Sequence, residues 1–326
     1  MSYLHLSEIK LGMTINQVLV SPDGKMVFGQ GTVVNEYLLS CLKGWKVEGA
    51  DVTEAALEFN LADIEELIAD VTIALADNRP MEKQVQNAAK VHSEIEIELK
   101  RIFLLTRYHG TVPLDTIINL VNMRIYPRLS KRESFEQLHT CASAGDYLYR
   151  HALDVALISG YLGRWLGYGD SDILNLTLAG LVHDIGKTRI NFEMLSKPGK
   201  LNVEEFKIAK IHANHSHQLL AQTGSVSTIV LNAVLQHHER MDGSGYPYGC
   251  KGEDITMLAR IVAVADVYDA LISNRYYRKG VSPQEAIEIM IFQMAGQLDN
   301  HVLACLIENI RNLDKENIPA LHNLAI

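Results

Sequence analysis

The chain is poor in several features that would assign it a simple class. Its four cysteines, Cys41, Cys141, Cys250 and Cys305, lie far apart, and no two form a Cys-x-x-Cys pair. A disulfide framework fits badly at this length, and free thiols in a reducing compartment are expected. There is no basic surplus: 30 Lys and Arg face 39 Asp and Glu, a formal net charge of -9. A general nucleic-acid binder shows the opposite balance, so a nucleic-acid polymer is disfavoured as a partner, whereas a small anionic ligand needs only a local basic pocket. No apolar run approaches the roughly 18 residues of a spanning helix, so no membrane partner is expected. The opening MSYLHLSEIKLGM lacks the basic-then-apolar layout of a signal peptide, and a cytoplasmic protein is expected. There is no internal repeat and no low-complexity tract.

What is present is the composition of an ordinary globular protein. At 326 residues, 48% of them hydrophobic, the chain can bury a sizeable core and is long enough for about two domains. Residues 13–20 (MTINQVLV) alternate and are β-rich. The turn SPDGK follows, then MVF and TVV, one short helix in EYLLSCLKGW and a closing strand in KVEGADV. From Thr53, a fitting N-cap, apolar residues take helical spacing up to the break at Arg79-Pro80. Further helices are expected over Met81–Tyr108 and Leu114–Tyr126. A domain boundary near Pro127–Glu133 divides the chain into 1–130 and 131–326. The second part reads as almost entirely helical, with GYGD, KPGK and DGSGYP as breaks.

Most of the histidines lie in that second part. His151 sits in DYLYRHALDVALI, His183-Asp184 in LAGLVHDIGK, His212 on the next amphipathic stretch, His237-His238 at the end of STIVLNAVLQHH, and Asp266 in LARIVAVADVYDALI. Neighbours on a helix point about 100° apart, so His183 and Asp184 can both touch one ion beside it. Singly, each residue has a plainer explanation: a hydrogen-bonded core histidine, or an aspartate serving as N-cap or salt-bridge partner. Jointly the plain explanations weaken. Five imidazoles and two carboxylates recur on successive apolar helices, and a buried carboxylate is costly unless paired or bound to a cation. Mixed imidazole and carboxylate donors suit Fe, Mn, Zn or Ni. Seven ligands exceed what one ion takes, and a shared aspartate points to a two-metal centre able to activate water and clamp a phosphoryl group.

The run HDIGK, KPGKL, HHERMDGSGYP and ARIVAVADVYDALISNRYYRKG resembles the HD-GYP branch of the HD phosphohydrolase superfamily over roughly residues 135–315. The resemblance implies a mainly α fold: an all-helical HD-type catalytic domain, here behind a small N-terminal α+β unit with a regulatory or dimerising role. It implies hydrolysis of cyclic di-GMP to pGpG, and onward to GMP, through a hydroxide bridging two metals, Fe or Mn. By position, His151, His183, Asp184 and Asp266 would hold one metal. Asp184 would bridge to a second held by His212, His237 and His238. Asp184 and Lys187 would be the catalytic pair, with Lys187 facing the scissile phosphate. Arg275 and Arg278 would hold the ligand's phosphates; RYYRK, a basic and aromatic cluster after a ligand aspartate, independently suits a nucleotide. Gly243 and Gly245 would let the loop turn beside the site, and Tyr246 and Pro247 would shape its wall or a partner surface.

Two departures from the family pattern matter. Three-metal members carry a glutamate four residues before the first histidine; here that position is Tyr147, next to Asp146, so two metals are favoured over three. GQLDNHVLACL replaces a Phe-Asp-Pro pattern and is expected to be structural. His215 and His217 are read as helix-surface residues or supports of the ligands. Implied partners are cyclic di-GMP, diguanylate cyclases through the GYP loop, and a second copy of the chain. The competing functions are a non-catalytic cyclic di-GMP receptor or adaptor, and a phosphodiesterase for another cyclic dinucleotide such as cyclic GMP-AMP.

Overall fold

The structure is a computed structural model. It describes residues 2–10, 13–17, 19–20, 22, 27–28, 34, 36–53, 83–130, 135, 138, 147–196, 199, 201–274 and 279–316. The helix expected after Thr53, Cys141, Asp146, Arg275 and Arg278 lie outside these residues.

The N-terminal unit is small and mixed. Strands β1 (Ser2–His5), β2 (Thr14–Ile15) and β5 (Gly49–Thr53) form an antiparallel sheet in the order β1-β5-β2, and β3 (Leu19–Val20) pairs with β4 (Val27–Phe28). The expected 13–20 strand is thus two short strands in different sheets. Helix α1 (Glu36–Gly44) buries Leu38 and Leu42 against Ile15, Ala50 and Val52, a separate small core. Alternation along β2 and β5 supplies the sheet face, and the i, i+4 leucines supply the helix face.

The rest is helical, as expected of a mainly α protein with a small N-terminal α+β unit. Helix α2 (Lys83–His109) is followed by α3 (Leu114–Leu120), which runs into a π turn over Val121–Ile125 and a 3-10 turn over Tyr126–Ser130. Then come α4 (Tyr147–Trp165), α5 (Asp170–Val182), a 3-10 turn at Ile185–Arg189, α6 (Phe192–Ser196), α7 (Val203–Lys210), α8 (His212–Ala221) and α9 (Thr228–Gln236). Helices α10 (Met257–Ile272), α11 (Pro283–Phe292) and α12 (Asn300–Glu316) complete the described chain. Among the described residues, no helix is long and apolar enough to cross a membrane.

Two helices are buried almost all round. Helix α4 is covered from Tyr149 to Gly163 and α10 from Leu258 to Asp269, apart from Arg260. That is why both read as continuous apolar runs. Gly180 lets α5 lie directly on α4: a Cβ there would meet the Val155 carbonyl oxygen at 2.8 Å and the Ala156 Cα at 2.9 Å. Side-chain caps start the outer helices. Asn202 and Glu205 form a capping box, Ser227 accepts from the Val230 amide, and Ser282 accepts from Glu285 with Pro283 behind it. Asp299 Oδ1 accepts from the amides of His301 and Val302 where α12 begins, and its Oδ2 lies 3.2 Å from Arg260.

The main core does not begin at residue 131. Ile95, Leu99, Ile102 and Phe103 of α2, and Ile117 to Leu129 after it, share one cluster with α4 and α10. Buried polar groups tie the same elements: His92 on α2 lies 3.1 Å from Asp154 and 3.3 Å from Glu96, and Arg150 lies 3.3 Å from Asp154. The division expected near Pro127–Glu133 therefore runs through a packed core. The amphipathic period of α2 showed that it buries a face, but not against which unit.

The amphipathic stretch VEEFKIAKIHANHSHQLLAQTG, which carries His212, divides at Ile211 into α7 and α8. The Ile211 amide bonds back to Ile208 in the tighter i−3 pattern, and the His212 ring takes the Ala209 carbonyl.

Candidate metal centre and phosphate site

Local structure explains how five elements deliver seven side chains to one place. His151 projects from α4 and Asp266 from α10, the two helices that are buried almost all round. His183 is the C-cap of α5 and Asp184 lies just past it, at φ -101° and ψ 5°. The pair therefore sits where the helix stops, not along its side as the sequence suggested. Gly186 makes the next contact: a Cβ there would meet the His212 carbonyl oxygen at 2.2 Å and the Ser216 nitrogen at 2.4 Å. The Gly186 amide donates to Ser216 Oγ at 2.8 Å, and that hydroxyl donates to the His183 carbonyl at 2.7 Å. The turn after α5 is thus pressed onto α8, which carries His212. His237 is the C-cap of α9, with His238 next to it.

All seven expected ligands come together, in two groups. Asp184, His212, His237 and His238 offer ligand atoms within 4.8 Å of one another, as do His151, His183 and Asp266. Asp184 lies between the groups. Its Oδ1 is 3.1 Å from His212 Nε2, while its Oδ2 is 3.2 Å from His183 Nε2 and 3.6 Å from His151 Nε2. His151 Nε2 also lies 3.2 Å from Asp266, and His238 Nδ1 lies 3.6 Å from the other Asp266 oxygen.

The outer nitrogens fix the tautomers. His183, His212 and His237 each place Nδ1 2.6–2.7 Å from the carbonyl three residues back, on Gly180, Ala209 and Val234. A carbonyl only accepts, so Nδ1 carries the proton in all three. In the neutral ring Nε2 then presents a lone pair to the centre. There it meets other acceptors: His212 Nε2 and His237 Nε2 are 3.3 Å apart, and His183 Nε2 and Asp184 Oδ1 are buried without a hydrogen bond. Lone pairs converging in a buried space favour a cation among them. The residues therefore fit divalent metals bound by imidazole and carboxylate.

Charge follows the same geometry. Burial would raise the Asp184 pKa, but the Lys187 ammonium beside it leads the groups that outweigh burial and hold the carboxyl well below its usual range. Asp266 is also held low, against burial, chiefly by the hydrogen bond to His151. Burial holds His237 and His238 neutral, well below the ordinary histidine value. His151 is the exception: burial lowers it, yet its bonds to Asp266 and Asp269 raise it to about 9.

The open side of the centre is marked by partial exposure. Lys187, whose Nζ donates to Asp184 Oδ2, is 24% exposed, and His238 is 18% exposed. Tyr246 lies over that side, its ring 4.6 Å from His238 and 6.5 Å from His212. Burial pushes its phenol pKa up, so it stays neutral. Tyr147, in the place of a third-metal glutamate, stacks on the His151 ring at 5.1 Å and 17°.

Sequence reasoning missed three supports. Asp269 is fully buried and accepts from His151 Nδ1 at 2.6 Å and from Ser273 at 2.9 Å. Its signal was there: it follows Asp266 by three residues on the same apolar helix. Glu239, also buried, accepts from the amides of Tyr248 and Cys250 at 2.7 and 3.0 Å and so holds the GYP loop. Gly245 lets that loop return, because a Cβ would meet Glu239 Cα and Arg240 N at 2.5 Å. Gly186 is the third. His215 needs correction in one respect. It is not a surface residue but is buried against Gly186.

Residues 115–302 match the family described as HD domain. This chain belongs to the HD-domain family. Its HHERMDGSGYP run makes it an HD-GYP protein. Over 230 residues, the HD-GYP chain is 33% identical to a Pseudomonas aeruginosa protein named cyclic di-GMP phosphodiesterase, covering 71% of this chain and 55% of that one. Over 164 residues it is 38% identical to a Vibrio cholerae protein named 3'3'-cGAMP-specific phosphodiesterase 1, covering 50% of this chain and 38% of that one. It thus spans about half, or less, of the relatives it matches. A solved HDG"Y"P protein from Bdellovibrio bacteriovorus shares the fold, with a TM-score of 0.60 at 17% identity over 95% of this chain and 99% of that one.

Proposed function

We propose that the chain is a metal-dependent phosphodiesterase that opens cyclic di-GMP to pGpG, and onward to GMP, in the cytoplasm. The observation that carries this reading is the convergence of seven buried ligand side chains in two groups with Asp184 between them. The names of the Pseudomonas and Vibrio relatives support a cyclic dinucleotide as the substrate class.

His151, His183, Asp184 and Asp266 would hold one metal, and Asp184, His212, His237 and His238 the other. Fe and Mn suit these donors. Bound there, the metals would supply a water nucleophile at neutral pH and offset charge on the phosphoryl oxygens. The protein's own part is positional. The Gly180, Ala209 and Val234 carbonyls keep the Nδ1 protons of His183, His212 and His237, leaving Nε2 free to bind. Lys187 holds its ammonium beside Asp184 at the open face, where it can donate to a phosphate oxygen and stabilise the charge that develops there. Tyr246 shields the same face from water. Arg275 and Arg278 are retained as phosphate contacts on the resemblance alone.

The test is metal analysis with turnover. Protein purified without oxygen should carry about two metals per chain, as the ligand count suggests, and should release pGpG from cyclic di-GMP under Fe(II) or Mn(II). His183→Ala with Asp184→Ala should abolish that turnover in metal-loaded protein. Unchanged turnover would overturn the reading, and so would the absence of bound metal. Two metals with tight binding and no product would indicate a receptor. The relative named for 3'3'-cGAMP favours a second reading, hydrolysis of that dinucleotide, which the same assay decides.

A further inference from the structure

The 3-10 turn that carries Lys187 is held from two sides. On one side Gly186 lies against α8. On the other stands the end of α2. We propose that Arg107, in the last turn of α2, is a positioning residue for Lys187: it holds the backbone of the turn and so sets where the ammonium meets a substrate phosphate. This rests on the reading of the chain as a cyclic-dinucleotide phosphodiesterase in which Lys187 faces the scissile phosphate.

Arg107 Nη2 donates to the Lys187 carbonyl at 3.4 Å, across 80 residues of sequence. The same carbonyl accepts from the Ile190 amide at 3.1 Å, and the Lys187 amide donates to the Asp184 carbonyl at 2.9 Å. Both backbone groups of Lys187 are thus engaged, one of them by a side chain from a distant helix. Burial lowers the Arg107 pKa, but a guanidinium starts so high that it keeps its charge, and the bond is charge-assisted. A 3-10 turn has poorer internal hydrogen bonds than an α-helix, so an outside donor contributes more to its shape. The Lys187 side chain is a flexible four-carbon stem, and where its ammonium can reach depends on where its backbone is anchored.

Helix α2 is itself registered against α4, which carries His151. Phe103, one turn before Arg107, packs edge-on against Tyr149 at 5.5 Å. Nearer the start of α2, His92 lies 3.1 Å from Asp154, one turn beyond His151. The Arg107 guanidinium is therefore delivered by a helix fixed to the same element as a metal ligand. It lies before residue 131, so the turn leans on a helix that the sequence assigned to the regulatory half.

The test is a double-mutant cycle with a structural readout. Metal-loaded full-length chain, Arg107→Met, Lys187→Met and the double variant are assayed on cyclic di-GMP and on 3'3'-cGAMP. Methionine keeps much of the stem and cannot donate. For the dinucleotide that the wild type cleaves, Arg107→Met should lower kcat about 10-fold or more, the cost of a slightly misplaced catalytic group, with KM and metal content unchanged. In the Lys187→Met background the same change should cost little further, because the group it places is gone. Arg107→Lys, which keeps a charged donor, should recover part of kcat. Hydrogen exchange at the Ile190 amide, which shares the Lys187 carbonyl, should accelerate in Arg107→Met whether or not substrate is turned over. Equal kcat losses with and without Lys187, or a loss matched by lost metal, would make Arg107 a general structural residue and overturn the proposal. Unchanged kcat with unchanged exchange would overturn it too. A wild type that cleaves neither dinucleotide defeats the underlying reading instead, and exchange at Ile190 then decides whether Arg107 holds the turn.

Discussion

His151 and Asp269 share a 2.6 Å hydrogen bond, Nδ1 to Oδ2, between two helices 118 residues apart in the chain. The ring's other nitrogen faces Asp184 and Asp266. A carboxylate behind a ligand histidine fixes the tautomer and the ring's direction, and raises its basicity. Asp269→Asn should therefore weaken metal binding about 10- to 100-fold, the usual range for such supports. Chelator competition at neutral pH would measure it, with helix content by circular dichroism as the control. Full metal affinity in a folded Asp269→Asn protein would show that His151 needs no orienting partner.

Gly186 is where the sequence around Asp184 touches α8. No rotamer of a new side chain can relieve the overlap with His212 and Ser216, because both contacts are backbone. Gly186→Ala must push the turn away from α8 and separate Asp184 from His212, now 3.1 Å apart. The expected cost is about 1–3 kcal/mol of stability, typical of overpacking, together with loss of metal from the group that contains His212. Denaturant unfolding and metal counting on the purified variant would check both. A variant that stays stable and keeps its full metal complement would contradict this account of the turn.

The centre was more legible than its supports, for a physical reason. Imidazoles and carboxylates on apolar helices stand out because burying them is expensive, so His151, His183, Asp184, His212, His237, His238 and Asp266 could be picked from sequence. Asp269 carries the same signature, but without coordinates it cannot be told from an ordinary salt-bridge partner. Glu239 and Gly186 work through backbone contacts, which leave no pattern in residue spacing. The helix period marked α2 as amphipathic, yet only the packing of Ile95 and Leu99 showed which core it joins. The break at Ile211 depends on one i−3 bond and a ring that reaches a carbonyl, both below the resolution of a 3.6-residue pattern.

Glu239 holds the GYP loop by two charge-assisted bonds to the amides of Tyr248 and Cys250. Such bonds are each worth about 1.5–3 kcal/mol when they are well made. Glu239→Gln keeps the shape but leaves one amide without its acceptor. The loop should loosen while the metals stay bound, since none of the seven ligands bonds to this carboxylate. Hydrogen exchange at the Tyr248 and Cys250 amides should accelerate by about 10-fold or more, the equivalent of 1.4 kcal/mol or above. KM for the dinucleotide should rise with it. Unaltered protection at both amides would show that the loop is held by other means.

His215 gives the fold a pH dependence whose sign can be worked out. It is fully buried, and burial, then Arg189, then His212 hold its pKa well below the ordinary histidine value. In the unfolded chain it titrates near pH 6.5. Between those two values the unfolded state binds a proton that the native state refuses, so native stability falls as pH drops. The contribution is fully present above about pH 7 and is lost progressively below about pH 6.5. Urea unfolding of wild type and of His215→Leu, each at pH 7.5 and pH 5.5, isolates the effect. Leucine fills a similar buried volume and cannot titrate, so the variant should lose less stability over that interval than the wild type. An identical loss in both proteins would assign the acid sensitivity to other groups.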